Sequence, residues 1–373
     1  MSSIQLLALI CVFDVLKVSR GKTLKLDVKY KHMPGYAFGL FHTLIDENGQ
    51  ELHALVDTGS DCFYLVWKDW YEKASGNRCS DFPIGCYRCS TPCSVGDVTR
   101  TVTFADGDVM KMFPHRAKLT IGQVSQILTF GLIFDQSSPD GISPINMIGL
   151  GYNRGHVDFP SLVTQLRSSQ TITTGIFALY LYAPADPMQV STDGGLLLGG
   201  DEPALYEGAL QYVEFSMDKE YTVNIDKLQV GDGPITLGIN MNLNLDTGLN
   251  FLLVPKLYYD NLIKDIIAQT GKAVGTDVDF KRSPGEKLWY FPCQYMTKLP
   301  MLHFDLGPQG ITPFEMTYMN YARRSSYGTC LLTIRDYDMD AWVFPDRMLI
   351  GNYFKFDPDL RRVGIGKLKP RFS

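Results

Sequence analysis

The chain has no basic stripe, no Asn-x-Ser/Thr sequon and, beyond its first residues, no apolar run long enough to suggest a transmembrane segment. The missing stripe, with a net charge of −5, argues against nucleic acid as a partner. The missing sequon removes N-linked glycosylation, and the missing run leaves no stable membrane insertion. His32, His42, His53, His115, His156 and His303 fall at no metal-ligand spacing and read as ordinary surface or core residues. No metal and no cofactor is called for. Charge is modest too, at 20% against 45% hydrophobic residues, which is the balance of a folded globular protein. The 373 residues suffice for two domains with proper cores.

What is present begins with Ile4-Gln5-Leu6-Leu7-Ala8-Leu9-Ile10-Cys11-Val12-Phe13. This run is too short for a bilayer but suits a signal peptide, and Ser19 and Gly21 are the small residues for cleavage after Gly21. Residues 1–21 are therefore expected to direct export, to the outside or to a lysosome-like lumen of the endomembrane system. A buried strand or helix is the rival reading. Cys79, Cys86, Cys89 and Cys93 crowd one loop, with Cys62 upstream and Cys293 and Cys330 apart. Such a loop reads as disulfide-stapled in an oxidising compartment. A zinc site using Cys86-x-x-Cys89 and its neighbours is the alternative. Loss of Cys11 with the signal leaves an odd number, so at least one cysteine is unpaired or joins another chain.

The strongest signal is internal repetition. Asp57-Thr58-Gly59 and Asp246-Thr247-Gly248 stand one in each half, each between apolar stretches. Two carboxylates face to face can share a proton, so that one is a base while the other is an acid. Met147-Ile148-Gly149 has an expected counterpart in Leu349-Ile350-Gly351-Asn352, chosen over Phe344-Pro345-Asp346 because Pro removes a ladder donor. Elsewhere short alternating runs predict β-structure. Asp106-Gly107 predicts a hairpin between Val98–Phe104 and Val109–Phe113. Helices are expected over Phe159–Ser169, capped by Asp158, and over Pro255–Gln269, with Leu257, Ile263, Ile266 and Ile267 on one face and Gly271 as the stop. A boundary falls near Glu202 to Glu207, giving domains 22–203 and 204–373.

These motifs resemble those of the pepsin-like aspartic peptidases, over nearly all of the chain after the signal. The resemblance rests on Val56-Asp57-Thr58-Gly59-Ser60, the hairpin at Asp106-Gly107, Ile148-Gly149-Leu150-Gly151, Leu197-Leu198-Gly199-Gly200, Leu245-Asp246-Thr247-Gly248 and the tail from Phe356-Asp357 to Arg362-Val363-Gly364. It implies a mainly β, two-lobed fold around a cleft, with Asp57 and Asp246 at its floor holding one water. Thr58, Gly59, Ser60, Thr247 and Gly248 would support them. Phe104, Ala105, Asp106 and Gly107 would form a flap over substrate, with Tyr64 behind it. Cys293 and Cys330 would form a disulfide. The implied activity is an aspartic endopeptidase acting on polypeptides at acid to mildly acid pH, as a monomer.

Several residues differ from the family pattern. Leu249 replaces a hydroxyl residue, Asp61 a small one, Phe104 the flap Tyr, and Tyr64 a Trp. The alternative function is accordingly an impaired pseudo-peptidase binding peptides or proteins in the same cleft. If the enzyme is active, Leu249 and Asp61 are expected to raise the acid limb of its pH profile. Between Lys22 and Val56 there is no room for a separate inhibitory prosegment, so a mature start near Lys22 is expected. The basic run Lys22, Lys25, Lys29, Lys31 reads as a solvated strand face, or as a prosegment remnant.

Overall fold

The computed structural model describes residues 22–34, 38–104, 107–139, 141, 143–152 and 155–371. The signal-peptide expectation lies outside them, as do Ala105 and Asp106. The first half runs β1 (Leu24–His32), β2 (Phe38–Asp46), β3 (Glu51–Asp57), β4 (Phe63–Val66), α1 (Lys68–Ser75), β5 (Arg100–Thr103), β6 (Val109–Ile121), β7 (Val124–Ser137), β8 (Asn146–Gly149), α2 (Leu162–Ser168), β9 (Phe177–Leu181) and β10 (Thr192–Leu198). The second runs β11 (Gln211–Glu214), β12 (Thr222–Val230), β13 (Ile235–Leu245), β14 (Leu252–Pro255), α3 (Lys256–Val274), β15 (Lys281–Arg282), β16 (Trp289–Phe291), β17 (Leu302–Leu306), β18 (Thr312–Met316), α4 (Tyr318–Tyr321), β19 (Ala322–Arg324), β20 (Cys330–Leu332), β21 (Ile334–Tyr337), β22 (Ala341–Phe344), β23 (Asn352–Asp357) and β24 (Arg362–Lys367). The fold is mainly β, as expected.

Three sheets organise it. One has thirteen strands in the order β11-β24-β23-β9-β10-β1-β2-β3-β8-β4-β7-β6-β5, one has seven in the order β18-β17-β12-β13-β22-β14-β21, and a small one has four, β15-β16-β20-β19. The repetition in the sequence is a repetition of topology. β3-β8-β4-β7 and β13-β22-β14-β21 follow the same order, with parallel, antiparallel and parallel pairings in turn. In each unit the first strand leads into Asp-Thr-Gly. Alternation decides which faces are buried: in β1, Leu24, Leu26, Val28 and Tyr30 point inward while Lys25, Asp27 and Lys29 stay in water. Lys25 and Lys29 of the basic run thus lie on a solvated strand face, while Lys31 is half-buried.

The register corrects one expectation. Val56 and Asp57 pair with Ile148 and Gly149, whereas Leu245 pairs with Phe344. The Asp246 amide then donates to the Phe344 carbonyl at 3.0 Å. The counterpart of Ile148-Gly149 is therefore Phe344-Pro345, not Ile350-Gly351. Pro345 is tolerated because it lies just past the end of β22 and opens a 3₁₀ turn over Asp346–Leu349, where no ladder donor is needed. Gly351 instead makes a left-handed turn, φ 74°, into β23.

Both helices depart from their expected bounds. α2 starts after Ser161, whose hydroxyl accepts from the Thr164 amide at 3.3 Å, so Ser161 and not Asp158 is the cap. α3 runs through Gly271 to Val274 and ends at Gly275, whose φ of 82° closes it. Its buried face is Tyr259, Leu262, Ile263 and Ile266, while Leu257 is 75% exposed. The hairpin forms with Thr103 opposite Val109, and its first strand begins at Arg100 rather than Val98.

Cys79–Cys86, Cys89–Cys93 and Cys293–Cys330 are disulfides, and Cys62 is the free thiol among the described residues. The zinc reading fails on this pairing, because Cys86 and Cys89 are each oxidised with another partner. A histidine distant in sequence also reaches the loop: His115 Nδ1 lies 3.5 Å from Cys93 Sγ.

Gly149 shows how tightly the repeated unit is packed. A Cβ there would meet the Cys62 amide nitrogen at 2.4 Å and its carbonyl oxygen at 2.5 Å, both backbone atoms that cannot swing away. Gly96 has open space around it. Gly149→Ala should cost about 3 kcal/mol or more by overpacking, while Gly96→Ala should change stability by less than about 1 kcal/mol. Urea unfolding of both checks this, and equal midpoints would refute the packing account.

Candidate active site

Each Asp-Thr-Gly leaves its strand as a loop, and the two loops meet. The Thr58 hydroxyl donates to the Leu245 carbonyl at 2.7 Å and accepts from the Thr247 amide at 3.0 Å. The Thr247 hydroxyl donates to the Val56 carbonyl at 2.8 Å and accepts from the Thr58 amide at 3.1 Å. Residues 189 apart are thus joined by two reciprocal pairs of buried bonds.

Backbone conformation is not what calls for glycine at Gly59 and Gly248. Neither Gly59 nor Gly248 has a positive φ. Their amides do reach a carboxylate, each its own: Gly59 to Asp57 Oδ1 at 2.7 Å and Gly248 to Asp246 Oδ1 at 2.8 Å. The constraint lies opposite. A Cβ on Gly59 would sit 2.6 Å from three Asp246 carboxyl atoms, and one on Gly248 would sit 2.6 Å from Asp57 Oδ1. Each carboxylate occupies the space that a side chain on the other loop would fill.

The Asp57 and Asp246 carboxyls thus lie side by side, each against the other loop. Burial first, and then the Asp57 charge, push the Asp246 carboxyl well above the usual carboxylate range, against the opposing bond from Gly248. Asp346 adds to the rise, and is itself pushed far up by burial. Ser60, expected among the supporting residues, turns its hydroxyl to Met147 Sδ at 3.0 Å.

Phe104 closes the hairpin, its amide donating to the Asp108 carbonyl at 2.8 Å and its carbonyl accepting from Gly107 at 3.0 Å. Its ring packs in one apolar cluster with Tyr64, Met110 and Met112, and Tyr64 is fully buried there. Asp61 does not stand as a bare charge. Arg100 Nη2 donates to its Oδ1 at 2.9 Å, and both side chains are largely buried. The ion pair ties the first residue of β5 to the loop after Asp57. Arg100 carried no local signal in the sequence, since its partner is 39 residues away. Beside them burial pushes the Cys62 thiol up to about 12, which leaves it inert.

Among the described residues Cys89, Cys93 and His115 bring potential metal-ligand atoms within 4.8 Å of one another. The two sulfurs are spent in their disulfide, so no thiolate remains to bind an ion.

Two β lobes, a repeated four-strand unit in each and interlocked Asp-Thr-Gly loops define the pepsin-like aspartic protease fold. The sequence matches the family model of the eukaryotic aspartyl proteases over residues 42–368, and the chain belongs to that family. It is similar to cathepsin D of Chionodraco hamatus, 26% identical over 245 residues that cover 64% of this chain and 57% of that protein. The match therefore spans little more than half the length of that relative. Secreted aspartic protease 1 of Candida albicans is 22% identical over 334 residues, 87% of this chain and 80% of that one. Pregnancy-associated glycoprotein 4 of Ovis aries is 23% identical over 321 residues, 85% and 78% of the two chains.

The threonine bonds make a direct prediction. Thr58→Val keeps the shape but orphans the buried Leu245 carbonyl and Thr247 amide, and should cost about 2–4 kcal/mol. Thr58→Ser keeps the hydroxyl and should cost less than about half of that. Denaturant unfolding of the pair separates hydrogen bonding from packing; a larger loss in Thr58→Ser than in Thr58→Val would mean that the methyl, not the hydroxyl, matters.

Proposed function

We propose that this protein is an aspartic endopeptidase that hydrolyses polypeptides at acid to mildly acid pH. The observation that supports it most is the interlock in which each carboxylate sits against the other loop's glycine. In this proposal one water sits in reach of both groups. In this reading Asp57 is the base and Asp246 holds the shared proton, in keeping with its raised pKa. Asp57 takes a proton from the water as its oxygen attacks the scissile carbonyl carbon. Asp246 donates to the carbonyl oxygen. Collapse of the tetrahedral diol breaks the C–N bond, with the proton on Asp57 passing to the leaving nitrogen and Asp246 recovering its own. No covalent intermediate is needed.

The substrate cleft lies, in this proposal, between lobes of residues 22–203 and 204–373, with β11, β23 and β24 of the second joining the first lobe's sheet. Phe104, Gly107 and Tyr64 serve the flap, together with Ala105 and Asp106. One chain supplies both aspartates, so a monomer suffices. Three disulfides fit passage through an oxidising secretory route. No helix among the described residues is long and apolar enough to cross a membrane.

Cleavage of denatured haemoglobin or casein at acid pH, blocked by a statine-type inhibitor, tests the reading. Asp57→Asn and Asp246→Asn should each lower kcat/KM by about 10⁴-fold or more, with the fold intact by circular dichroism. Wild type that binds the inhibitor but cleaves nothing would make the protein a pseudo-peptidase.

The pH profile carries a second prediction. Asp61 is neutralised by Arg100, so its expected push on the dyad is muted. Leu249 remains, and it follows Asp246, the group holding the proton. Activity requires that proton, so the Asp246 pKa sets the alkaline limb: the higher it is, the further activity extends upward. A hydroxyl at 249 that donates to the ionised carboxylate would lower it. Leu249→Thr should therefore move the alkaline limb down by about 0.5–1 pH unit. An unmoved limb in an active variant would show that the missing hydroxyl does not tune Asp246. The effect is thus placed on the alkaline limb, not the acid limb expected from sequence.

A further inference from the structure

A separate cavity of about 470 Å³ opens beside the strand that follows the second Asp-Thr-Gly. Its lining includes His32, Phe38, Asn250, Phe251, Arg323 and Arg324. Asn250 and Phe251 stand four and five residues after Asp246, so the cavity shares a wall with the loop that carries that carboxylate.

The cavity gathers positive charge. The Arg323 guanidinium lies 4.4 Å from the centre of the Phe38 ring, and burial lowers its pKa from the usual guanidinium value. It stays charged all the same, because a guanidinium does not lose its proton in proteins. Arg324 is its exposed neighbour. Outside the lining, the Arg335 guanidinium lies 4.0 Å from the centre of the Phe251 ring. Arg100, Arg282, Arg361 and Arg371 each face a carboxylate. Among the described residues Arg323 and Arg324 face none within ion-pair distance. Asp346 acts on Arg323 only from beyond ion-pair distance, and burial pushes its own carboxyl well above the usual carboxylate range. A partly buried cation without a counter-charge is costly, and an arriving carboxylate removes that cost while making charge-assisted hydrogen bonds. The aromatic walls suit the methylenes that carry such a carboxylate.

We infer that this cavity is a recognition subsite for an acidic side chain of the bound polypeptide, held by Arg323 and Arg324 several residues from the scissile bond. The inference rests on the reading that the cleft binds extended polypeptide, but not on catalysis. It makes the protein selective for substrates with Asp or Glu at one fixed position, despite its own net negative charge.

Binding and cleavage are measured separately. Fluorescent eight-residue peptides with a non-cleavable statine unit at the centre carry Glu or Gln at each position in turn. Anisotropy gives Kd at about pH 5.5, where a free Glu, with a pKa of about 4.3, is ionised. At one position Glu should bind about five- to tenfold tighter than Gln. That ratio should fall to about one to two in Arg324→Gln, and Arg324→Glu should favour Lys over Glu there. Because Arg324 is exposed, its variants test the idea even where Arg323→Gln does not fold. No position with a Glu gain, or a gain that persists in both Arg324 variants, overturns the inference. So does a gain that is abolished by millimolar inorganic phosphate and is equal at every position, which would assign the cavity to a free anion. Casein cleavage without a Glu gain rejects the subsite and leaves the peptidase standing. A Glu gain without cleavage does the reverse.

Discussion

Four hydrogen bonds between Thr58, Thr247 and the carbonyls beside them set the geometry on which everything else depends. They are buried and reciprocal, so neither loop can shift without orphaning a donor in the other. Their effect is positional. With the threonines crossed, each aspartate is carried over the other loop's backbone, and glycine becomes the residue that fits beneath it. Two separately folded strand units are thereby converted into one site with no freedom in its central distance.

The framework is symmetric, but its surroundings are not. Behind the first loop Gly149 packs against backbone, and its amide donates to the Cys62 carbonyl at 2.7 Å. At the matching place behind the second stands Pro345, followed by a buried Asp346. Arg100 closes the first side with an ion pair to Asp61. These unequal neighbours surround two carboxyls in equivalent positions; burial first, then the Asp57 charge and last Asp346 push the Asp246 carboxyl up. Duplication supplies the shape, and divergence around it gives each group different neighbours.

The parts of this arrangement that repeat in the sequence were legible there. Asp-Thr-Gly twice, an apolar strand before each and a hairpin marked by Asp-Gly are local patterns, and strands do lead into both tripeptides and flank the hairpin. Contacts made across long loops were not legible. Nothing near Arg100 announces Asp61, and His115 reaches the cysteine loop from a strand whose own pattern concerns only its sheet. Phe344-Pro345 was passed over because proline weakens a central strand, a sound rule that does not apply one residue past the strand's end. Helix ends were misjudged for a related reason. Asp158 lies short of α2 and Gly271 is permissible within α3, and the true limits are set by Ser161 and Gly275 through hydrogen bonding and backbone angle.

The strand order also has a consequence for how the chain is made. β9 lies between β10 and β23, and Tyr180 pairs with Tyr353. During synthesis the first lobe's sheet therefore presents a bare β9 edge until residues 352–367 have emerged. Such an edge offers unpaired amides and carbonyls to any passing strand. Non-local pairing of this kind is also slow to form. The nascent protein thus carries an adhesive margin from the completion of β10 until β23 is made, and a truncation before β23 would leave that margin permanently open.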